Sequence, residues 1–311
     1  MPYAVIFPGQ GAAAPGAGVP WRDHPAWSLV AEAEAVLDRP LARLLLEADQ
    51  DELSTTRASQ LAVFLTSLMA WDAFSARVDE PPVAFAGHSL GQITALVAAG
   101  AIDRADGFRL AAERAELSQR SADANPGRMA ALIGADLEDA ERLCAQFDDV
   151  WVANDNAPGQ VVIAGTVSGL AAAVEAAPGM GLRKPRALDV GHAFHTPLLA
   201  DAAEGLRPLL ERLTFRTPTA PIVTNTDGKP QTDPSCWAQQ LTRHLVEPVL
   251  WRQCQETLRV SGAGTFVELG PGRVLAGLAK RTVPDVTVRN VSQPTELAQL
   301  GEASGLMEVV Q

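Results

Sequence analysis

The chain is short of paired cysteine, of excess positive charge and of histidine, and each shortage excludes something. Its three cysteines, Cys144, Cys236 and Cys254, are odd in number, widely spaced and without CxxC geometry. They suit buried or free thiols and offer neither a disulfide framework nor a metal site. Lys and Arg number 25 against 37 Asp and Glu, a formal net charge of -12. Nucleic-acid binding draws its affinity from clustered cations, so no nucleic-acid partner is expected. Cations gather only locally, at Arg183-Lys184-Pro185-Arg186 and at Lys280-Arg281, where an acidic protein or a phosphate group could be received. The N-terminal Met1-Pro2-Tyr3-Ala4-Val5-Ile6-Phe7 has no basic segment before its short apolar run. That argues against a signal peptide or a membrane span and for a cytoplasmic location. Internal repeats and low-complexity tracts are lacking as well.

What remains is 311 residues, 47% hydrophobic and 20% charged, enough to bury one substantial core and a second, smaller one. Short apolar runs alternate with helical stretches in the manner of an α/β protein. Val5-Ile6-Phe7, Val83-Ala84-Phe85-Ala86, Pro221-Ile222-Val223 and Thr265-Phe266-Val267-Glu268-Leu269 read as buried strands. Each ends in Gly, Pro, Asn or His, where a parallel sheet places functional loops. Helices are expected over Gln60 to Ala76, Asp103 to Ala122 and Leu198 to Leu213. Between Arg128 and Asp189 the units shorten. Met129 to Gly134 and Val161 to Gly165 read as strands about a helix from Leu137 to Phe147, with a second helix from Val167 to Ala177. A β-α-β-β-α-β unit inserted into the larger body fits that segment. A further strand is expected from Arg186 to Val190.

The most informative run is Gly87-His88-Ser89-Leu90-Gly91, set between the apolar Pro82 to Ala86 and the helical Gln92 to Ala99. Strand, tight turn and helix with a serine at the apex form a nucleophile elbow. The glycines permit the sharp fold, Oγ projects from the carboxyl edge of the sheet, and the helix N-terminus points free N–H groups at developing negative charge. Such a serine needs a base, and only five histidines exist: His24, His88, His192, His195 and His244. His88 adjoins Ser89 and its side chain is expected to diverge from Oγ. His24 sits in a polar N-terminal loop. His195 lies in Gly191-His192-Ala193-Phe194-His195-Thr196-Pro197, ahead of a helix.

Phe7-Pro8-Gly9-Gln10-Gly11, Gly87-His88-Ser89-Leu90-Gly91, His192-Ala193-Phe194-His195 and Glu268-Leu269-Gly270-Pro271-Gly272 occur together in this order. In this the chain resembles the malonyl-CoA:acyl carrier protein transacylases, both the free-standing enzymes and the acyltransferase domains of polyketide synthases, over roughly residues 3 to 285. The resemblance implies an α/β fold with a large α/β-hydrolase-like subdomain, residues 1–127 and 190–311, that carries a parallel sheet and the nucleophile elbow. A small ferredoxin-like α+β subdomain, residues 128–189, is inserted into it. It also implies malonyl transfer from malonyl-CoA to the phosphopantetheine thiol of an acyl carrier protein through a Ser89 acyl-enzyme, with no cofactor and no metal, in a protein expected to be a monomer.

Residue by residue, the resemblance makes Ser89 the nucleophile and His195 the general base. The imidazole would be oriented by a main-chain carbonyl in the stretch that contains His244, a residue otherwise read as a surface histidine near a helix end. The oxyanion donors would be the N–H groups of Gln10 and Leu90, with Gly9 and Gly11 allowing close approach. Arg114 would clamp the malonyl carboxylate, since a planar guanidinium grips a carboxylate through two parallel charge-assisted hydrogen bonds. Without the resemblance, a surface pair with Glu113 or Glu116 is the plainer reading. Gln60, His88, Phe194 and His192 would line the substrate pocket. Bulk at Phe194 disfavours a methyl-branched substrate, and His192 reads as a structural histidine with its bonds satisfied. Four positions depart from the family pattern: Leu61 replaces proline, Ala13 stands in the stretch where a second Gln is common, Gln92 replaces Glu, and His244 replaces Gln or Asn.

The elbow alone would equally suit a serine hydrolase or thioesterase. Against that stand the lack of an HGGG-like oxyanion segment and of any outstanding acid between Ser89 and His195. A non-catalytic docking module is a third reading, opposed by the joint presence of Ser89, His195, Gln10 and Arg114. Within the resemblance, fatty acid synthesis, a polyketide line served in trans and a malonate-utilising complex remain open.

Overall fold

The structure, a computed structural model, describes residues 2–188 and 190–304. Met1, Asp189 and residues 305–311 lie outside the described residues, so the expected boundary at Asp189 and the far end of the range reaching 311 do as well. Ten strands are described: β1 Tyr3–Phe7, β2 Ala84–Gly87, β3 Gly127–Ile133, β4 Val150–Ala157, β5 Gln160–Thr166, β6 Arg186–Ala187, β7 Ile222–Val223, β8 Pro230–Gln231, β9 Thr265–Leu269 and β10 Thr287–Val291. They form a six-stranded sheet in the order β10-β9-β1-β2-β7-β8 and a four-stranded sheet in the order β4-β5-β3-β6. In the larger sheet every pairing from β10 to β7 is parallel, and β8 closes an antiparallel hairpin on β7.

Continuous apolar strands with both faces covered are what a parallel sheet under two helical layers requires. All residues of β1, β2 and β9 are buried. The two-residue period of β1 divides it between cores: Tyr3, Val5 and Phe7 pack with Phe64 and Phe85 on one side, and Ala4 and Ile6 with Trp251 and Phe266 on the other. Fully burying a side chain of this size contributes about 1.5–3 kcal/mol. On the first side lies the helix Thr56–Ser75, capped by the Thr55 side chain, which accepts from Ala58 N. It is buried almost all round. With Leu61 in place of proline it runs unbroken through that position. Beside it the helix Arg104–Ala124 turns Gly107, Phe108, Ala111, Arg114 and Ser118 inward, a 3.6-residue stripe that puts Arg114 on the buried face.

The smaller sheet is antiparallel, with β3 between β5 and β6 and the helices Leu137–Cys144 and Val167–Ala176 packed on it. It is tied to the larger body where Asp155 N donates to Val249 O and Val249 N to Ala153 O, each 2.9 Å, and where Arg252 pairs with the buried Asp155 at 2.8 Å.

Several expected elements are shorter or were not located. Among the described residues, the strand expected over Arg186 to Val190 is assigned only at Arg186 and Ala187, and Leu188 N extends the contact by donating to Met129 O at 3.0 Å. The helix expected from Leu198 begins at Ala200, because Thr196 and Pro197 open a 3-10 turn in which the Thr196 hydroxyl accepts from Leu198 N. β4 carries the polar Asn154-Asp155-Asn156, all buried, and β10 is a partly exposed edge strand. Neither has a hydrophobic pattern that would mark it.

Candidate active site

The larger sheet reverses its strand order at β1, and a crevice outside the carboxyl ends at such a switch point is where ligands of open α/β sheets bind. Two loops meet there, Gly9-Gln10-Gly11 after β1 and His88-Ser89-Leu90 after β2. The turn at Ser89 admits only glycine at its flanks: a Cβ on Gly87 would lie 1.9 Å from the Gly91 carbonyl, and one on Gly91 would lie 2.3 Å from Phe7 O. Ser89 itself has φ 52°, a left-handed conformation that costs a non-glycine residue on the order of 1–3 kcal/mol. The helix Gly91–Ala98 starts immediately after it.

Ser89 Oγ lies 2.8 Å from His195 Nε2. His195 Nδ1 lies 2.9 Å from the His244 carbonyl. A carbonyl only accepts, so Nδ1 carries the proton and Nε2 presents a lone pair to the serine hydroxyl. Burial, with Arg114 next in weight, pushes the His195 pKa down to about 3, which keeps the ring neutral. Nδ1 meets a main-chain oxygen, as the resemblance implies, and not a carboxylate.

Arg114 is 3% exposed. Its Nη1 donates to Gln60 Oε1 at 2.6 Å and its Nη2 to Ser89 Oγ at 3.1 Å, while Gln60 Nε2 donates to Gln10 Oε1 at 2.9 Å. The surface pair with Glu113 or Glu116 is not formed: Glu116 accepts from Arg57 and Glu113 faces Arg120. Among the described residues no carboxylate pairs with this guanidinium, and burial lowers its pKa to about 10. Its neighbours are amides and a hydroxyl.

Among the described residues, no protein acceptor takes the N–H of Gln10 or of Leu90. Both belong to the first turns of helices, where orphan donors are the rule. Gly9 and Gly11 differ. A Cβ on Gly9 would lie 2.8 Å from His88 O, whereas one on Gly11 would meet nothing within 4 Å, so within the chain the close approach concerns Gly9 alone.

A cleft of about 430 Å³ opens over Ser89 and His195. Gln10, His88 and Phe194 line it from the large body, and Met129, Asn154 and Val162 from the smaller sheet. His88 turns its Nε2 to Asn156 Oδ1 at 2.9 Å and packs edge-on against Trp251. His192 packs edge-on against Phe194 and does not line the cleft. Contrary to the expectation of a satisfied histidine, both its ring nitrogens are buried without a partner, and burial pushes its pKa down to about 4. His244 also departs from expectation, being 2% exposed and no surface residue: the helix Trp237–Val246 turns it inward. Among the described residues no group of three or more His, Cys, Asp or Glu could hold a metal ion. All three cysteines are free, and no helix is long and apolar enough to cross a membrane.

Sequence reading did not find Asn225. Wholly buried, it donates from Nδ2 to Gly87 O at 2.9 Å and accepts the Ser89 N–H on Oδ1 at 2.8 Å. Its own N–H goes to Gln92 Oε1 at 3.1 Å. That gives Gln92, the departure after the elbow, a neutral structural contact. The available signal was that Asn225 closely follows a buried strand, at the edge where the other strands end in site loops.

Known proteins resemble the chain over nearly its whole length. The family model described as acyl transferase domain matches residues 5–302. The chain is 35% identical over 305 residues to the malonyl CoA-acyl carrier protein transacylase of Salmonella typhimurium, covering 95% of this chain and 97% of that one. It is 33% identical over 297 residues to the protein of the same name from Bacillus subtilis, covering 94% and 93%. Among solved structures it is similar to an acyl-carrier-protein S-malonyltransferase from Burkholderia pseudomallei, with TM-score 0.92, 33% identity, and 97% and 100% of the two chains covered. A malonyl-transacylase in complex with its type II polyketide synthase acyl carrier protein also has TM-score 0.92 and 33% identity, with 97% and 99% covered.

Proposed function

The chain belongs to the acyl transferase domain family, among the malonyl CoA-acyl carrier protein transacylases, and from that premise we propose how its own residues carry out the transfer. The enzyme moves a malonyl group from malonyl-CoA to the phosphopantetheine thiol of an acyl carrier protein, in fatty acid or polyketide synthesis. His195 Nε2 takes the Ser89 hydroxyl proton as Oγ attacks the thioester carbonyl. The N–H groups of Gln10 and Leu90 receive the oxyanion, each such donor being worth about 3–4 kcal/mol. Collapse breaks the C–S bond, and the proton on Nε2 passes to the departing CoA sulfur. The carrier thiol then enters, gives its proton to Nε2, attacks the Ser89 ester and leaves as the malonyl thioester, while Ser89 recovers the proton. Exchange between thioester and ester involves no redox change, so we assign no cofactor beyond the two substrates.

One observation carries the choice of acyl group: a buried guanidinium, 3.1 Å from the serine hydroxyl, whose neighbours are all neutral. A malonyl carboxylate laid against Arg114 would satisfy that charge and direct the thioester carbonyl at Ser89. Gln60 holds the guanidinium in place, and His88, Phe194 and His192 shape the pocket, His192 from behind Phe194. A monomer working in the cytoplasm suits a cleft that must admit a carrier protein.

The test is intact-protein mass spectrometry after brief incubation with malonyl-CoA, on the wild type and on Ser89→Ala, followed by addition of a phosphopantetheinylated carrier protein. A Ser89-dependent malonyl adduct that moves to the carrier is the expected result. An adduct lost as fast to water indicates a hydrolase, and no adduct overturns the reading.

A further inference from the structure

His244 touches both halves of the serine–histidine pair by separate routes. Its carbonyl accepts from His195 Nδ1 at 2.9 Å. Its ring Nε2 lies 2.9 Å from Asn225 Oδ1, the same oxygen that accepts the Ser89 N–H. The orientation of the Asn225 amide follows from its partners, because Gly87 O can only accept and Ser89 N can only donate, which puts Nδ2 on the first and Oδ1 on the second. Asn225 thus bridges the elbow from the residue before the turn to its apex. Oδ1 has no hydrogen to give, so His244 Nε2 must donate to it. His244 is therefore in the Nε2–H tautomer, opposite to the Nδ1–H tautomer of His195. Burial above all, with coupling to the His195 ring, the Arg114 guanidinium and the His88 ring acting in the same direction, lowers its pKa well below that of a free imidazole, so the ring donates while neutral.

Resting on the acyl-transfer reading above, we propose that the His244 side chain is a positioning residue for the nucleophile: through Asn225 it holds the left-handed backbone of Ser89, and so ties the serine to the residue whose carbonyl aims the base. The main-chain contact to His195 is open to any amino acid at this position. The side-chain contact needs a donor at the reach of Nε2, which a glutamine amide also supplies and an isosteric apolar chain does not. Loss of the donor leaves Oδ1 with one partner and lets the amide rotate. The elbow then loses the acceptor that holds its N–H, and Oγ drifts from Nε2. Misplacement on the ångström scale costs on the order of 100-fold in rate.

Two measurements test this. Two-bond proton–nitrogen correlation spectra of the isotope-labelled wild type, with the His244 signals assigned by their loss in His244→Gln, should show the proton on Nε2; a proton on Nδ1 alone overturns the proposal. Single-turnover acylation of Ser89 by malonyl-CoA should slow about 10- to 100-fold in His244→Met. KM should change by less than about threefold, and His244→Gln should recover most of the rate, a split that general loss of structure does not produce. A methionine variant as fast as wild type, or a glutamine variant as slow as the methionine one, sinks the idea. The tautomer decides the matter even where the methionine variant does not fold. Wild-type acylation read alongside separates failure of this inference from failure of the acyl-transfer reading, which only an unreactive wild type would indicate.

Discussion

Ser89 and His195 share a 2.8 Å hydrogen bond and also a backbone conformation: φ is 52° at the serine and 59° at the histidine. Among the described residues only Asp38 is another non-glycine with positive φ. Strain of this kind persists where the surroundings over-determine it. The Asn225 amide does so at Ser89, and at His195 the neighbouring Thr196 hydroxyl helps by donating to Ala193 O at 2.8 Å.

That strain is measurable. Ser89→Gly and Ser89→Ala both remove the hydroxyl, but only the alanine keeps a Cβ in the left-handed region. The glycine variant should be the more stable of the two by about 1 kcal/mol, once the extra freedom of glycine in the unfolded chain is allowed for. Urea denaturation of the pair decides it, and an alanine variant at least as stable would show the turn to be unstrained.

Arg114→Ala should lower kcat/KM for malonyl-CoA about 10- to 100-fold, the worth of a charge-assisted hydrogen-bonded contact, while acetyl-CoA loses far less. Arg114→Lys should recover only part, because a point charge lacks the planar fork. An unchanged malonyl-to-acetyl ratio in the alanine variant would remove Arg114 from the proposed clamp.

Phe194 is 5% exposed and lines the cleft beside His195. Phe194→Ser should raise the methylmalonyl-to-malonyl ratio of kcat/KM by about 10- to 200-fold, as expected for admitting one methyl group. Competition between the two CoA esters, read by the mass of the acyl-enzyme, checks this. A ratio that stays put would place the methyl elsewhere.

Stability should fall on acidification earlier than carboxylate titration alone would cause. Burial lowers the pKa of His88, His192, His195 and His244, to about 4 for His192 and about 3 for His195. Above about pH 6.5 both folded and unfolded chains hold these rings neutral and nothing changes. Below it the unfolded chain binds protons that the folded chain refuses, so each ring removes about 1.4 kcal/mol per pH unit until its folded pKa is reached. Melting temperature should therefore drop between pH 6.5 and 5, and a flat profile over that window contradicts the burial of these rings.

The two glycines around Gln10 should behave differently. Gly9 has ordinary extended backbone (φ -91°) and is required for space, since a Cβ would press on His88 O. Gly9→Ala should cost about 1–3 kcal/mol and displace the Gln10 N–H, with acylation lost accordingly. Gly11→Ala meets nothing in the chain and should change stability by less than about 0.5 kcal/mol. Equal losses on thermal denaturation would refute the distinction.

Much of this was legible in the residues because it depends on local rules. Continuous apolar runs such as Tyr3 to Phe7 mark strands buried on both faces, and Gly-x-Ser-x-Gly between such a run and a helix specifies a turn that other residues cannot fill. The spacing of Phe108, Ala111 and Arg114 places the arginine on one stripe of a helix, although nothing in the stripe says that the charge is buried without an anion. His244, read as a surface histidine, shows where local rules end. Its burial depends on what the helix Trp237–Val246 packs against, and its use depends on Asn225, nineteen positions away. The same holds for Gln92, whose role is a contact 133 residues distant, and for the polar β4. The sequence by itself determined the apolar strands and the main helices, the elbow and the set of reactive groups, through backbone sterics and hydrophobic period. Only the tertiary structure decided which ring faces which oxygen, which tautomer each histidine holds and which charge stands alone, because those follow from desolvation and from hydrogen bonds between residues that only the folded chain brings together.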